Sequence, residues 1–102
     1  MMIVVRDIFQ VKFGKAQDAI SSWKDGKSLI RKLNGNGMEF RMLTDMAGGN
    51  YYTLILESEY GSLSEFEDSM SKISGNQEWK SWYQKFIPLA ESGRREILNV
   101  VE

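Results

Sequence analysis

The sequence predicts one α+β domain over residues 1–102, with a four-stranded antiparallel sheet and both long helices on one of its faces. Three observations predict it. Alternating runs rich in β-branched and aromatic residues stand at both ends of the chain and as a pair in its middle. Segments with apolar residues at three- and four-residue steps separate them. Gly- and Asn-containing clusters mark the junctions.

Taken in order, Ile3 to Phe13 reads as a strand with alternations Ile3, Val5, Asp7, Phe9, Val11 and Val4, Arg6, Ile8, Gln10, Lys12, both carrying apolar residues. Gly14 breaks it and serves as a modest helix cap. Residues 15–34 form an amphipathic helix whose apolar stripe is Ala16, Ala19, Ile20, Trp23, Ile30 and Leu33. Gly26 inside it is expected to pack closely on the sheet, and the Asn34-Gly35-Asn36-Gly37 run stops it. Met38 to Met46 and Tyr51 to Tyr60 make a hairpin across Ala47-Gly48-Gly49-Asn50, with Met38, Phe40 and Met42 opposite Glu39, Arg41 and Leu43. Ser62 or Ser64 caps a second helix with a stripe of Leu63, Phe66, Met70 and Ile73, ended by Ser74-Gly75-Asn76. Residues 77–87 form an extra short helix before the last strand, with Trp79, Trp82, Tyr83 and Phe86 at helical spacing and Pro88 ending it. Arg94 to Val101 is the closing strand. This order, β-α-β-β-α-β, is the ferredoxin-like split arrangement.

Composition limits the chemistry. With 13 basic and 14 acidic side chains interspersed, and a net charge of −1, no basic stripe is present to neutralise a phosphate backbone, so nucleic acid is not an expected partner. There is no cysteine, which suits a reducing cytoplasm and removes thiolate nucleophiles, disulfides and iron–sulfur ligation. There is no histidine, the usual general base near neutral pH and the usual ligand of transition metals and haem. No D-x-D-x-D-G loop offers a calcium site, and no metal or cofactor is expected. The start, Met1 to Asp7, meets charge after three apolar residues following the methionine pair, and reads as neither a signal peptide nor a membrane span.

The sheet face away from the helices is not cleanly polar. On the expected alternations it carries Val4, Ile8, Leu43, Ile55, Ile97 and Val101 beside Arg6, Gln10, Glu39, Arg41, Thr53, Glu57 and Asn99. Burial of an aliphatic side chain stabilises by about 1.5–3 kcal/mol, so a cover is expected, and the simplest is a second copy of the chain related by a two-fold axis.

The runs Val4-Val5-Arg6-Asp7-Ile8-Phe9 into Lys12-Phe13-Gly14-Lys15, and Glu78-Trp79-Lys80-Ser81-Trp82-Tyr83 through Phe86-Ile87-Pro88-Leu89 to Arg94-Arg95-Glu96-Ile97-Leu98, resemble the dimeric α/β-barrel superfamily. Within it the chain is similar to the NIPSNAP-like and antibiotic-biosynthesis-monooxygenase-like groups. The resemblance implies two sheets packed face to face in a homodimer, pockets between sheet and helices in some members, and activities that include cofactor-independent oxygenation. Haem-dependent groups of the superfamily place a histidine on the iron, which this sequence lacks.

Two constellations stand out. Arg6, Glu39, Arg41, Glu57 and Asn99 share one expected sheet face; Arg6 or Arg41 would hold an anionic group and Glu57 would act as base, or the charges pair across strands and fix register. Trp79, Trp82 and Tyr83, with Asn99, are the ligand-binding candidates for a flat, partly aromatic molecule, unless the rings simply pack the short helix in place. Two functions follow: a cofactor-independent monooxygenase-like enzyme, or a non-enzymatic small-molecule-binding or structural dimer module of NIPSNAP-like type. A cavity of roughly 300 Å³ or more would favour an enzyme or binder.

Overall fold

A computed structural model of the chain describes residues 1–35 and 40–101, so Asn36, Gly37, Met38, Glu39 and Glu102 lie outside the described residues. The elements are β1 (Ile3–Val11), α1 (Ala16–Asn34), β2 (Phe40–Thr44), β3 (Thr53–Tyr60), α2 (Leu63–Ser74), α3 (Gln77–Phe86), a 3-10 turn (Ile87–Leu89) and β4 (Ala90–Asn99). The strands form a four-stranded sheet in the order β2-β3-β1-β4, with every neighbouring pair antiparallel. This is the ferredoxin-like arrangement expected from the order of elements.

Local chemistry sets the ends of the helices. Ser62 accepts from the Glu65 N–H at 3.2 Å, while Glu65 reaches back to the Gly61 N–H at 2.9 Å, together closing the first turn of α2. Asn76 caps α3 by accepting from the Trp79 N–H at 2.9 Å. Pro88 lies in the 3-10 turn directly after α3, where a missing N–H costs least.

The core lies between the sheet and the helices. Leu54 and Leu56 of β3 and Val11 of β1 meet Ala19, Trp23 and Ile30 of α1, Ile73 of α2 and Phe86 of α3. Ile3, Val5 and Phe66 form a smaller cluster at the other end, with Met70 packed against both. For β1, β2 and β3 the helix-facing alternation is the expected one, since Phe40 and Met42 stand level with Ser58 and Leu56.

Several expectations need correction. In β4 the faces are reversed: Ile97 stands level with Val5 and Asn99 with Ile3, which turns both toward the helix side, while Leu98 stands level with Val4 on the open side. The strand starts at Ala90 and its register shifts between Gln10 and Val11, whereas Val101 lies beyond its end. With an aliphatic residue on each alternation, hydropathy alone did not distinguish the two. Gly26 packs against α3 rather than the sheet, for a Cβ there would stand 2.5 Å from Trp82 Cζ2. Leu63, at the first position of α2, is 49 % exposed instead of buried, and Leu29 of α1 is buried although it was not expected in the stripe.

Candidate functional site

The two faces of the sheet carry different chemistry. On the open face, β1, β3 and β2 bring Arg6, Glu57 and Arg41 into one row, since Arg6 and Arg41 are both Cα partners of Glu57. Arg6 Nε donates to Glu57 Oε1 at 2.9 Å, and Arg41 donates to Oε2 through Nε at 3.0 Å and through Nη2. Glu57 is only 8 % exposed. Hydrogen bonds from Arg41 and then Arg6 outweigh its desolvation and hold its carboxyl below the ordinary range, while the same partner raises Arg41. A carboxylate saturated by two guanidiniums and biased toward its charged form is a weak base. The two ion pairs link β1, β3 and β2 through one carboxylate.

Between the helix-facing side of the sheet and α2, α3 and the start of β4 lies a cavity of about 570 Å³. Its walls are mostly apolar. Phe9, Trp23, Trp79, Tyr83 and Phe86 line it, and Ser58 and Tyr60 add hydroxyls from β3. Trp79 and Tyr83 stack at 6.2 Å, while Trp23 meets Trp79 and Phe86 edge-on at 5.9 and 5.5 Å between centroids. Gly93 lets β4 pass close to Phe9, whose Cδ1 would sit 2.9 Å from a Cβ at that position.

One charged pair stands on this wall. Asp7 belongs to the alternation Ile3, Val5, Asp7, Phe9, Val11, where its neighbours are apolar, and its Cα partner on β4 is Arg95. Arg95 Nε donates to Asp7 Oδ1 at 2.6 Å. The guanidinium lies 5.3 Å from the Phe66 ring centroid, and its Nη1 approaches Met70 Sδ at 3.7 Å. The readable signal was an acidic residue on a face otherwise made of aliphatic and aromatic side chains. Arg95 could be found only through the register of β4.

Of the expected ligand residues, Trp79 and Tyr83 line this cavity. Trp82 instead lies over Gly26, stacks on Phe86 at 5.8 Å and donates through Nε1 to the Ser22 carbonyl at 2.9 Å. Asn99 sits at the end of β4, level with Ile3 and away from the cavity lining. Arg6, Arg41 and Glu57 are on the other side of the sheet, so the two expected constellations do not merge into one site. No group of metal-ligating side chains occurs among the described residues, and no helix there is long and apolar enough to cross a membrane.

Neither a family model nor a curated protein matches the chain. Solved structures do. A NIPSNAP family protein from Agrobacterium tumefaciens superposes with a TM-score of 0.86 at 22 % identity, over 99 % of this chain and 87 % of that one. The fold is shared with NIPSNAP proteins. It is also similar to a putative antibiotic biosynthesis monooxygenase from Nitrosomonas europaea, with a TM-score of 0.74 at 15 % identity over 98 % of this chain and 90 % of that one. SnoaB, a cofactor-independent oxygenase from Streptomyces nogalater, matches with a TM-score of 0.73 at 9 % identity, over 99 % of this chain and 94 % of that one. At such identities the likeness is one of fold.

Proposed function

We propose that this chain binds a small, partly aromatic molecule in the cavity between its sheet and helices, as a homodimer closed through the open sheet face. The observation that carries the reading is the cavity itself. Its volume of about 570 Å³ falls in the range of small-molecule sites, roughly 300–1,000 Å³, and its wall joins an aromatic surface to a few convergent polar groups. Weight for ligand contact therefore passes from Arg6, Arg41 and Glu57 to Trp79, Tyr83, Asp7 and Arg95.

NMR titration with 2-methylnaphthalene, an apolar two-ring probe, tests the binding step. The expected result is saturable binding with perturbed resonances confined to cavity residues, and loss of both in Ser58→Phe, which places a ring in the cavity from a buried position on β3. Uniform weak perturbation, or binding unchanged in Ser58→Phe, would remove the cavity from the proposal.

A cofactor-independent oxygenase is the second reading of the same cavity. It is favoured by the polar pair on an apolar wall, where a substrate that itself supplies the electrons to oxygen would be shielded and held. Oxygen uptake with anthrone-like or hydroquinone substrates tests it. Uptake abolished by Ser58→Phe and retained in Arg6→Ala supports oxygenation in the cavity; absence of uptake by a protein that binds the probes leaves the binding module.

A further inference from the structure

We propose that Asp7 and Arg95 form a head-group subsite that selects a neutral group carrying a hydrogen-bond acceptor beside a donor, such as a primary amide, over a carboxylate of the same shape. The inference rests on the reading of the cavity as a ligand site.

The pair is placed where structural economy would put an aliphatic residue. On β1 the helix-facing neighbours of Asp7 are Val5 and Phe9, and a part-exposed ion pair of this kind adds little to stability. Both residues line the cavity, and the pair keeps hydrogen-bonding capacity to spare. Arg95 spends Nε on Asp7 Oδ1 and Nη1 on Met70 Sδ, and its Cζ lies 5.3 Å from the Phe66 ring centroid. Among the described residues, Arg95 Nη2 and Asp7 Oδ2 have no hydrogen-bond partner. A fixed donor and a fixed acceptor thus stand on adjacent strands beside an aromatic box.

The charges of the pair cancel, and that decides the ligand class. Arg94 stands level with Ile8 on the open side of the sheet, where Glu96 holds it at 2.8 Å, so it adds no charge beside the pair. A carboxylate would gain from Arg95 while meeting the Asp7 carboxylate as a like charge, and would offer it no donor. An amide satisfies both groups at once: its carbonyl accepts from Nη2 and its N–H donates to Oδ2. A ligand that leaves either group unmet forfeits that hydrogen bond and binds more weakly.

Binding of three two-ring probes of one shape, 2-naphthamide, 2-naphthoate and 2-methylnaphthalene, tests the subsite by NMR titration or calorimetry. Wild-type protein should bind the amide about tenfold or more tighter than the carboxylate, and tighter than the methyl compound. Asp7→Asn leaves the guanidinium uncompensated, so the order of amide and carboxylate should reverse, a change that mere loosening of the strands would not produce. Arg95→Lys keeps the charge and removes the planar Nη2 edge, and should weaken the amide while sparing 2-methylnaphthalene. The proposal is overturned if wild-type protein binds 2-naphthoate as tightly as the amide, or if the order persists in a folded Asp7→Asn variant. Binding of 2-methylnaphthalene as tight as that of the amide overturns the subsite and leaves the cavity reading intact. Failure of all three probes removes the cavity reading and the subsite with it.

Discussion

At Glu57 two guanidiniums converge on a carboxylate that the sheet already shields, and the consequence is measurable as pH-dependent stability. Hydrogen bonds from Arg41 and Arg6 lower the folded-state pKa below its ordinary value of 4.5. The contribution is therefore fully present above that value and is lost as pH falls through the folded-state pKa, because the unfolded chain takes up the proton first. Glu57→Gln removes the charge that the two arginines share. It should lower the unfolding free energy at pH 7 by about 1–2 kcal/mol, a hydrogen-bond-sized figure kept small because both arginines reach solvent. Urea unfolding at pH 7 and again at progressively lower pH should show the gap between wild type and variant closing; a gap independent of pH would mean that the carboxylate is not preferentially ionised in the folded state. Trp23 poses the opposite case. Its Nε1 is buried without a hydrogen-bond partner among the described residues, and its ring is enclosed by Phe9, Trp79, Trp82 and Phe86. Trp23→Phe removes an unmet donor together with part of the ring, so its cost should stay below the about 3–5 kcal/mol of truncating a core aromatic to alanine. Thermal unfolding of Trp23→Phe beside Trp23→Ala measures the difference, and equal losses would show that the retained phenyl ring recovers none of the stability there.

Gly26 shows how an element can be legible while its neighbour is not. The periodicity from Ala16 to Leu33 identifies α1, and a glycine in it signals a close approach. The partner is Trp82, on a helix more than fifty residues along the chain, which no local pattern discloses. Adding a Cβ at position 26 brings about 1 kcal/mol of helix propensity but forces the indole away, an overpacking cost of about 1–3 kcal/mol. Gly26→Ala should therefore be destabilising in the wild-type background and stabilising in a Trp82→Leu background, where the obstruction is gone. A double-mutant cycle by chemical denaturation reads this change of sign, and additive effects would show that α1 and α3 do not meet through these residues. The strands divide in the same way. In β1, β2 and β3 the helix-facing alternation is the expected one, because it is the more apolar of the two even with Asp7 in it. β4 has Ile97 on one alternation and Leu98 on the other, so only its hydrogen-bond register with β1 decides. The site inherits this limit. Arg6, Glu57 and Arg41 share a face that their strands' alternation already defines, whereas Asp7 finds its partner only through the direction in which Arg95 faces.

For the whole molecule the decisive feature is that the sheet is covered on one side and, in the single chain, uncovered on the other. Val4, Ile8, Leu43, Ile55 and Leu98 share the uncovered side with the Arg6–Glu57–Arg41 network. Ile8 and Ile55 are Cα partners near its middle, and Leu43 pairs with Ile55 from β2. A row of aliphatic side chains around a neutralised charge network suits a self-complementary contact: burial of each adds about 1.5–3 kcal/mol, while the paired charges specify register more than affinity. If a second copy covers this face, wild-type protein should sediment as a dimer at micromolar concentration and its Tm should rise with protein concentration. Ile55→Glu places a charge at the centre of the face without touching Leu54 and Leu56, which point into the helix-side core. That variant should sediment as a monomer, keep the far-ultraviolet circular dichroism of the wild type, and melt at a lower temperature that no longer depends on concentration. A wild-type protein that remains a monomer with a concentration-independent Tm would mean that the aliphatic row tolerates water, and the cavity on the opposite face would then have to function in a single chain.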